Sequence, residues 1–542
     1  MKIALAQFNF HIGNFAQNTN KIKDNIRKAE RQGADLVIFP ELAVSGYPPR
    51  DFLGFDDFID QCEQAMQDIA RECISITAIV GGPQKNPSKK GKRLFNAAWI
   101  LQQGSVKQIA RKSLLPTYDI FDEYRYFEPG HDFGIFDLNG HKLAITICED
   151  LWGVGDSPIY AVNPMDKLIE QRPDMIINIA ASPFDHTQFE KRSDVLKENA
   201  KQYNLPIVYV NHVGAQTELI FDGGSLVMDA KGDILHQLPF FKESLEVYNS
   251  EASRASTDFY KPPKMESIEQ ALILGIQNYF QKLGFKKAVL GLSGGIDSAL
   301  TLALASKALG TENVISLIMP SEFSSSHSVD DSIELCKNLG TAYSIISIEE
   351  IYTSYTKALA PYFSHLPFNI AEENIQARSR AVLLMAYSNK FGHILLNTSN
   401  KSEAAVGYGT LYGDMCGGIS VIGDLYKTEV YELAHYINRN QEIIPSNILT
   451  KPPSAELRPD QKDSDSLPDY NILDQILYHY IELQQDPQKI IESGFEESIV
   501  RKTITLVNNS EHKRYQAPPV LRVSPKAFGM GRRMPIVAKY LS

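Results

Sequence analysis

The sequence predicts an α/β protein of two domains, and three observations lead to this prediction. The chain has 542 residues, which is more than one hydrophobic core usually supports. Short apolar runs typical of buried strands alternate with longer polar segments that suit helices. This alternation is interrupted at residues 242–265, a polar stretch with a proline pair, and then restarts.

The first domain, residues 1–245, is predicted to have layers of strands and helices. Polar segments at 17–32, 56–72 and 187–203 have the composition of helices. A hairpin is expected at 222–238, with its turn at Ala230-Lys231-Gly232. The runs that look like buried strands are KIALAQF, DLVIFP, ITAIVGG, KLAITIC, DMIINIA and PIVYVN.

Residues 246–265 are predicted to be a linker, because the segment is polar and has no clear period. A long loop inside one domain is the alternative. From residue 266 the pattern becomes helix 266–283, helix 298–309 and helix 328–339, each followed by an apolar strand. Strands that alternate with helices at this spacing predict a doubly wound parallel sheet, so residues 266–542 form the second domain.

Composition argues against several classes of protein. The net charge of −11 argues against a nucleic-acid or membrane surface as the main partner. No stretch approaches 18 apolar residues, and the apolar run at the start is too short for a signal peptide. The five scattered cysteines include no C-x-x-C pair, which argues against a zinc site and suits a reducing compartment. We therefore predict a cytoplasmic protein.

The most specific motif is GLSGGIDSA at 291–299, between a predicted strand and helix 298–309. A glycine-rich turn that opens a helix points several backbone N–H groups at one place, which favours a phosphate or pyrophosphate. The motif is not the Walker pattern, because no Gly-Lys-[Ser/Thr] follows. An acidic side chain in such a turn can hold magnesium. The candidate ATP-binding residues are Gly291, Leu292, Ser293, Gly294, Gly295, Ile296, Asp297 and Ser298.

The run SGGIDS resembles the signature of ATP pyrophosphatases, which cleave ATP between the α and β phosphates. Four further runs narrow the resemblance to NAD synthetases, and they read ENIQARSRA, NTSNKSEAAVGYG, DLYKTEVYELA and EHKRYQAPP. In the second run, Asn397 stands where the family has glycine. The resemblance implies further ATP contacts at Thr398, at Lys427 and at Ser454 in PPSAEL.

The same resemblance implies residues that bind the second substrate, deamido-NAD. Asn374 and Lys513 match positions that contact this dinucleotide. Glu403 would either reach the dinucleotide or share a magnesium ion with Asp297. Magnesium and ATP are therefore expected at the second domain.

Three residues of the first domain form a candidate nucleophilic site. Glu41 follows one predicted strand, Cys148 ends another, and Lys112 lies in the run ARKSLLPTYDIF. Catalytic groups of α/β sheets converge at strand ends. A cysteine attacks an amide as its thiolate, which an ammonium group stabilises, and a carboxylate can accept the thiol proton. Taken alone, each residue also has an ordinary interpretation, since a buried cysteine is usually a small core residue.

Residues 1–240 resemble the nitrilase-like amidase family through the runs PELAVSGY, RKSLLPTYDIFDEYRYF and ICEDLW. The resemblance implies an αββα sandwich in which Glu41 is the general base, Lys112 the stabilising cation and Cys148 the nucleophile. It also places Tyr118 and Ser182 around a glutamine substrate. The third glutamine-binding candidate, Gln188, departs from the family, which often has lysine there.

Together the two resemblances point to the glutamine-dependent NAD synthetases. Membership implies that ammonia is released from glutamine, that the carboxylate of deamido-NAD is adenylated by ATP, and that ammonia then displaces AMP. It also implies small-molecule substrates and a homo-oligomer. Two alternatives stay open, namely a related ligase that makes a different amide and a first domain that serves as an interaction module without glutaminase activity.

Overall fold

The computed structural model describes residues 1–88, 90–154, 160–251, 259–363, 366–459 and 461–541. The chain divides into two compact units, Met1–Pro262 and Pro263–Ser542. Each unit contains its own sheets and its own hydrophobic clusters. The two-domain prediction from chain length agrees with this division.

The N-terminal unit is built on two six-stranded sheets. Its strands are β1 (Lys2–Gln7), β2 (Leu36–Ile38), β3 (Thr77–Lys85), β4 (Leu94–Gln102), β5 (Ser105–Arg111), β6 (Ile135–Leu138), β7 (His141–Ile147), β8 (Met175–Ala180), β9 (Ile207–Asn211), β10 (Val213–Gln216), β11 (Leu219–Asp222), β12 (Leu226–Met228), β13 (Ile234–Gln237) and β14 (Ser244–Asn249). Its helices are α1 (Phe15–Arg31), α2 (Asp56–Ala70), α3 (Pro164–Leu168) and α4 (Gln188–Tyr203). The strand orders are β14-β1-β2-β3-β4-β5 and β13-β12-β9-β8-β7-β6, and β10 pairs with β11 in a separate ribbon.

Successive side chains of a strand point to opposite faces of its sheet, and this alternation explains how the two sheets pack face to face. Ile3 and Leu5 of β1 belong to one hydrophobic cluster with residues of the second sheet such as Ile147. Ala4 and Ala6, which point to the opposite face, belong to a second cluster with α1 and α2. The first sheet therefore has the second sheet on one face and helices on the other.

Helix α4 packs against the second sheet and completes the layers. Its buried Leu196 and Ala200 belong to the cluster that contains the strands of that sheet. The predicted αββα sandwich is thus confirmed, and the three predicted helices lie within two residues of α1, α2 and α4. The predicted hairpin is formed by β12 and β13, which pair antiparallel.

The predicted linker at 246–265 begins too early. Strand β14 pairs antiparallel with β1, from Lys2 opposite Asn249 to Gln7 opposite Ser244, so its residues complete the first sheet. The polar sequence misled the prediction because β14 is an edge strand with only one neighbour, and edge strands tolerate polar side chains. The first helix of the next unit begins at Lys264, and residues 252–258 lie outside the described residues.

The C-terminal unit contains a five-stranded sheet with order β17-β16-β15-β18-β19, in which all neighbouring strands are parallel. Its strands are β15 (Ala288–Gly291), β16 (Val314–Ile318), β17 (Ala342–Ile345), β18 (Ile394–Asn397) and β19 (Ile419–Ser420). Its helices are α5 (Lys264–Leu283), α6 (Ile296–Leu309), α7 (Ser326–Leu339), α8 (Glu349–Phe363), α9 (Ile370–Phe391), α10 (Lys401–Val406), α11 (Lys427–Ile437), α12 (Ser446–Thr450), α13 (Tyr470–Leu477), α14 (Pro487–Glu492), α15 (Glu497–Asn509) and α16 (Glu511–Arg514). Strand order reverses between β15 and β18, and ligands of doubly wound sheets bind at such a switch point.

Every helix of the described residues is either too short or too polar to span a lipid bilayer.

Candidate active sites

The three candidate residues of the N-terminal unit all lie beyond strand ends. Glu41 follows β2, Lys112 directly follows β5, and Cys148 begins a short 3-10 helix directly after β7. All three side chains are buried. The positions expected from the sequence are therefore the positions found.

Lys112 is in direct contact with two carboxylates. Its Nζ lies 2.7 Å from Glu41 Oε1 and 2.9 Å from Glu123 Oε1. Glu123 also accepts a hydrogen bond of 3.0 Å from the Tyr47 hydroxyl. The interior of this unit thus holds one cation between two acids, which is costly to bury unless every group has a partner.

Both carboxylate oxygens of Glu41 are held in place. Asn96 Nδ2 donates to Oε1 at 2.6 Å, and the Ala181 N–H donates to Oε2 at 2.9 Å. The backbone carbonyl of Glu41 lies 2.6 Å from His212 Nε2. A general base fixed in this way needs little reorganisation when it accepts a proton.

Burial and nearby charges disfavour the thiolate form of Cys148. Burial raises its pKa well above the ordinary value, the Glu41 carboxylate raises it further, and the Lys112 ammonium opposes both. Burial also opposes the charge on Lys112, but Glu123 and Glu41 outweigh it and raise the pKa of that ammonium. A nucleophilic thiolate at Cys148 therefore requires a nearby base to take its proton.

The backbone conformation of Cys148 is unusual. Its φ is +45°, a left-handed conformation that costs energy for residues other than glycine. This φ marks the turn where β7 stops and the 3-10 helix Cys148–Leu151 begins. Cys148 therefore lies where the chain leaves the sheet at the end of β7.

The predicted glutamine-binding residues lie near this turn. The Tyr118 hydroxyl donates to Glu149 Oε1 at 2.9 Å, which brings Tyr118 to the residue after the candidate nucleophile. Ser182 follows β8, and its N–H donates to Asn211 Oδ1 at 2.9 Å. Gln188 is the first residue of α4, and its Nε2 lies 3.4 Å from Ser182 Oγ.

The C-terminal unit contains a cavity of about 300 Å³ at the ends of β15 and β18. It lies at the switch point of the sheet, where the strand order reverses. Most of the residues predicted to bind ATP or magnesium line this cavity, namely Gly291, Leu292, Ser293, Gly295, Ile296, Asp297, Ser298, Thr398, Glu403, Lys427 and Ser454.

Lys427 organises the acidic side of this cavity. Its Nζ lies 2.5 Å from Asp297 Oδ2 and 3.5 Å from Glu403 Oε1. Asn400 Nδ2 donates to the other Asp297 oxygen at 2.9 Å. Burial and the neighbouring Asp297 raise the pKa of Glu403, whereas Lys427 lowers it.

Comparisons with known proteins decide the family. Residues 2–256 match the family model for carbon-nitrogen hydrolases, and residues 268–517 match the family model for NAD synthases. A glutamine-dependent NAD(+) synthetase of Synechocystis sp. is 46% identical over 99% of both chains. The chain belongs to the glutamine-dependent NAD(+) synthetase family.

Other members of the family agree in sequence and in fold. The glutamine-dependent NAD(+) synthetase of Acinetobacter baylyi is 43% identical over 99% of this chain and 98% of its own. A structure of the Acinetobacter baumannii enzyme in complex with ADP matches at a TM-score of 0.79 and 40% identity, and covers 99% of this chain and 98% of that chain. The Cytophaga hutchinsonii structure shares the fold alone, at a TM-score of 0.84, 21% identity and the same coverage.

Three of the predicted NAD synthetase residues do not line the cavity. Gly294 has a φ of +78°, and a Cβ placed there would lie 2.3 Å from the Ser328 carbonyl oxygen, so it permits a close backbone approach. Lys513 Nζ donates to the carbonyl oxygens of Gly407 and Gly409 at 2.7 and 2.8 Å.

Asn374, the third of these residues, is hydrogen-bonded to the same segment as Lys513, at residues 407–410. Its Oδ1 accepts a hydrogen bond of 2.7 Å from the Thr410 hydroxyl. The segment that follows supplies Gly413 and Asp414 to the cavity wall. Asn374 and Lys513 therefore both contact one loop that continues into the cavity wall, and Glu403, the other predicted deamido-NAD residue, lines the cavity itself.

Sequence reasoning missed two polar residues of these sites. Asn96 lies in the apolar strand β4, where a single asparagine resembles an interruption, yet it contacts both Glu41 and Glu123. Asp463 lies in a charged segment that the sequence marks only as a loop. It is buried against the cavity and accepts hydrogen bonds from the hydroxyls of Tyr408 and Tyr470. For Asn96, the sequence offers one signal of a functional role, namely a single polar residue inside an otherwise apolar strand.

Proposed function

We propose that this chain converts deamido-NAD to NAD, with glutamine as the nitrogen donor and with ATP cleaved to AMP and pyrophosphate. The N-terminal unit would release ammonia, and the C-terminal unit would activate the carboxylate that receives it. The observation that carries the proposal is the buried contact between Lys112 and Glu41 beside Cys148, in a chain that also has the phosphate-binding turn at Ser293.

The proposed glutaminase step uses Glu41, Lys112 and Cys148. Glu41 accepts the Cys148 proton as the sulfur attacks the amide carbon of glutamine, and Lys112 stabilises the negative charge that develops. The proton passes to the departing nitrogen, so that ammonia leaves and a γ-glutamyl thioester forms. Glu41 then takes a proton from water as the water oxygen attacks the thioester carbon. The bond to the Cys148 sulfur breaks, glutamate leaves, and the proton returns from Glu41 to the sulfur.

Glutamine would be held by Tyr118, Ser182 and Gln188. Tyr118 is oriented by its hydrogen bond to Glu149, a buried acid whose pKa is raised by burial. Gln188, at the start of α4, lies with its side-chain nitrogen near the Ser182 hydroxyl. Its neutral amide occupies the position where the family often has a lysine. A neutral amide recognises a substrate carboxylate by hydrogen bonding, without the charge that lysine would add.

The proposed ligase step begins at the turn after β15. The backbone N–H groups of this turn and the start of α6 would bind the phosphates of ATP, with Thr398, Lys427 and Ser454 as further contacts. An oxygen of the nicotinate carboxylate attacks the α phosphorus, and pyrophosphate leaves. Ammonia then attacks the acyl carbon, AMP departs, and the new amide nitrogen loses one proton. The ADP-bound relative at 40% identity supports nucleotide binding by this chain.

Asp297 and Glu403 are the proposed magnesium ligands. Both carboxylates line the cavity and both approach Lys427, so their oxygens already converge on one cation. Among the described residues, no group of three or more acidic, His or Cys side chains is arranged for a metal. Two carboxylates suit an ion that takes its remaining ligands from substrate phosphates and water. Bound magnesium would neutralise charge on the departing pyrophosphate.

Asn374 and Lys513 are proposed to bind deamido-NAD through the loop that they border. Glu403 remains a candidate for the same substrate as well as for magnesium.

We also propose a cytoplasmic location, because the five cysteines carry free thiols.

A homo-oligomer is proposed from the outer surface of the C-terminal unit. Helices α8 and α9 expose large apolar side chains, including Tyr362, Val382 and Phe391. Exposed apolar surface of this kind marks interfaces between protein chains. Light scattering on the purified protein tests the proposal, and a monomer at micromolar concentration would contradict it.

Incubation with ATP, glutamine and candidate acids tests the proposed function. We expect AMP and NAD to appear together, and only when deamido-NAD is present. AMP formation with other acids and without deamido-NAD would instead support a related ligase that makes a different amide.

A further inference from the structure

Asp150 lies two residues after the proposed nucleophile and has no part in the chemistry described above. Its side chain is buried, and both of its carboxylate oxygens accept hydrogen bonds from backbone N–H groups. Oδ1 accepts from Ser113 and Leu114, each at 2.9 Å. Oδ2 accepts from Ile147 at 3.0 Å.

These three backbone groups belong to two chain segments that must meet for catalysis. Ile147 directly precedes Cys148, whereas Ser113 and Leu114 directly follow Lys112. One carboxylate therefore joins the turn that carries the sulfur to the strand end that carries the ammonium group. Among the described contacts, Asp150 is the side chain that bonds both segments.

The charge on Asp150 is retained in an unfavourable environment. Burial raises its pKa to about 6, although the N–H groups of Leu114, Ile147 and Ser113 and the Lys112 ammonium lower it. The group is therefore ionised near neutral pH, with all of its bonding directed at the backbone of the site. An ionised carboxylate accepts such bonds more strongly than a neutral amide does.

We infer that Asp150 is a positioning residue for glutamine hydrolysis, which sets Cys148 against Lys112 by holding their two backbone segments together. This inference rests on the proposed glutaminase function. The strained φ of +45° at Cys148 is consistent with it, because a conformation of that kind persists only when surrounding contacts hold it. Asp150 touches no substrate, so its effect reaches the reaction through the geometry of the other two residues.

Asp150→Asn is the informative substitution, because it keeps the size of the side chain and removes one acceptor oxygen. In either orientation of the amide, an NH₂ group faces at least one of the backbone N–H groups of Ile147, Ser113 and Leu114. The two segments would then separate slightly, and small displacements of catalytic groups cost up to about 100-fold in rate. We expect glutamine-supported kcat to fall by about 30-fold or more, with KM for glutamine changed by less than about threefold.

Asp229→Asn is the matched control. Asp229 also accepts backbone N–H groups in a turn of the same unit, from Lys231 at 2.8 Å and Asp233 at 2.9 Å, but it lies in the β12–β13 hairpin. We expect it to leave glutamine-supported kcat unchanged. Ammonia-supported synthesis should stay at the wild-type rate in both variants, and Asp150→Glu, which restores the charge, should recover part of the lost kcat.

Three outcomes would overturn the inference: more than half of the wild-type kcat in Asp150→Asn, an equal loss in Asp229→Asn, or an equal loss of ammonia-supported synthesis. If Asp150→Asn gives no soluble protein, Asp150→Glu decides the matter. It moves the carboxylate by one methylene group, so wild-type kcat in that variant would contradict a positioning role, and a reduced kcat at unchanged KM would support it. Absence of glutamine hydrolysis by the wild-type protein would instead refute the proposed function.

Discussion

Lys427 Nζ lies 2.5 Å from Asp297 Oδ2, although the two residues are 130 positions apart in the sequence. The contact joins the start of α11 to the glycine-rich turn that opens α6. Burial opposes the charge on Lys427, but Asp297 and Glu403 outweigh it and raise the pKa of its ammonium group. The cavity thus places the Lys427 ammonium group where an ATP phosphate is expected, and the carboxylates of Asp297 and Glu403 where magnesium is expected.

Asp297→Asn should stop ATP cleavage with either nitrogen donor. The substitution removes the charge that pairs with Lys427 and that we assign to magnesium binding. AMP release, measured with glutamine and separately with ammonium, should fall at least 100-fold. Asp330→Asn, an exposed substitution on α7, is the control. Near-normal AMP release by Asp297→Asn would remove the assigned metal role.

Gly294→Ala should damage the phosphate-binding turn. Gly294 has a φ of +78°, and an added Cβ would lie 2.3 Å from the backbone oxygen of Ser328, which cannot move easily. We expect at least tenfold weaker ATP binding by calorimetry, since the loop must shift. Gly340→Ala is matched, because its φ is +73° and an added Cβ meets no atom within 4 Å. Loss of about 1 kcal/mol of stability with unchanged ATP affinity is expected for that control. Equal effects of the two substitutions on ATP affinity would contradict the role of the close approach.

Lys112→Met should destabilise the protein as well as abolish glutamine use. It leaves Glu41 and Glu123 buried without their shared cation, and breaking a buried pair costs about 3–5 kcal/mol. Chemical denaturation monitored by fluorescence measures the change. Lys85→Met, which breaks an exposed pair with Asp60, should cost less than about 1 kcal/mol. A Lys112→Met protein as stable as the wild type would show that the buried acids do not require this ammonium.

Much of the fold could be predicted because apolar periodicity follows burial. The regular alternation of strands and helices predicts the parallel sheet of the C-terminal unit, and the family resemblance implies the N-terminal sandwich. The polar composition of strand β14 instead predicts part of a linker, since an edge strand need not be apolar. Pairing with β1 is a contact over more than 230 positions, which local sequence does not encode.

The sequence predicts those candidate site residues that belong to a local motif. Glu41, Lys112 and Cys148 are adjacent to strand ends, and the turn at Ser293 has a distinctive spacing. The local sequence does not reveal Asn96 and Asp463, because their roles come from tertiary contacts. Asn96 bonds acids from two other segments, and Asp463 accepts a hydrogen bond from Tyr408, 55 positions away, as well as one from the nearby Tyr470. Residues whose function depends on distant partners carry no local pattern.

Cys148→Ala separates the two proposed sites. We expect glutamine-supported synthesis of NAD to be lost and synthesis from ammonium salt to be kept, because the sulfur serves only the N-terminal unit. Cys73→Ala, at a buried cysteine outside the proposed site, should preserve both activities. An equal loss with both nitrogen donors would argue against separate sites, and unchanged glutamine use would exclude Cys148 as the nucleophile.

The most direct measurement is to supply glutamine labelled with ¹⁵N in its side-chain amide, together with ATP and deamido-NAD, and to weigh the product. Our account predicts NAD that carries the label in its carboxamide with the wild-type protein, one AMP for each NAD formed, and no labelled NAD with Cys148→Ala. Unlabelled NAD from the wild-type protein, or labelled NAD from Cys148→Ala, would contradict it.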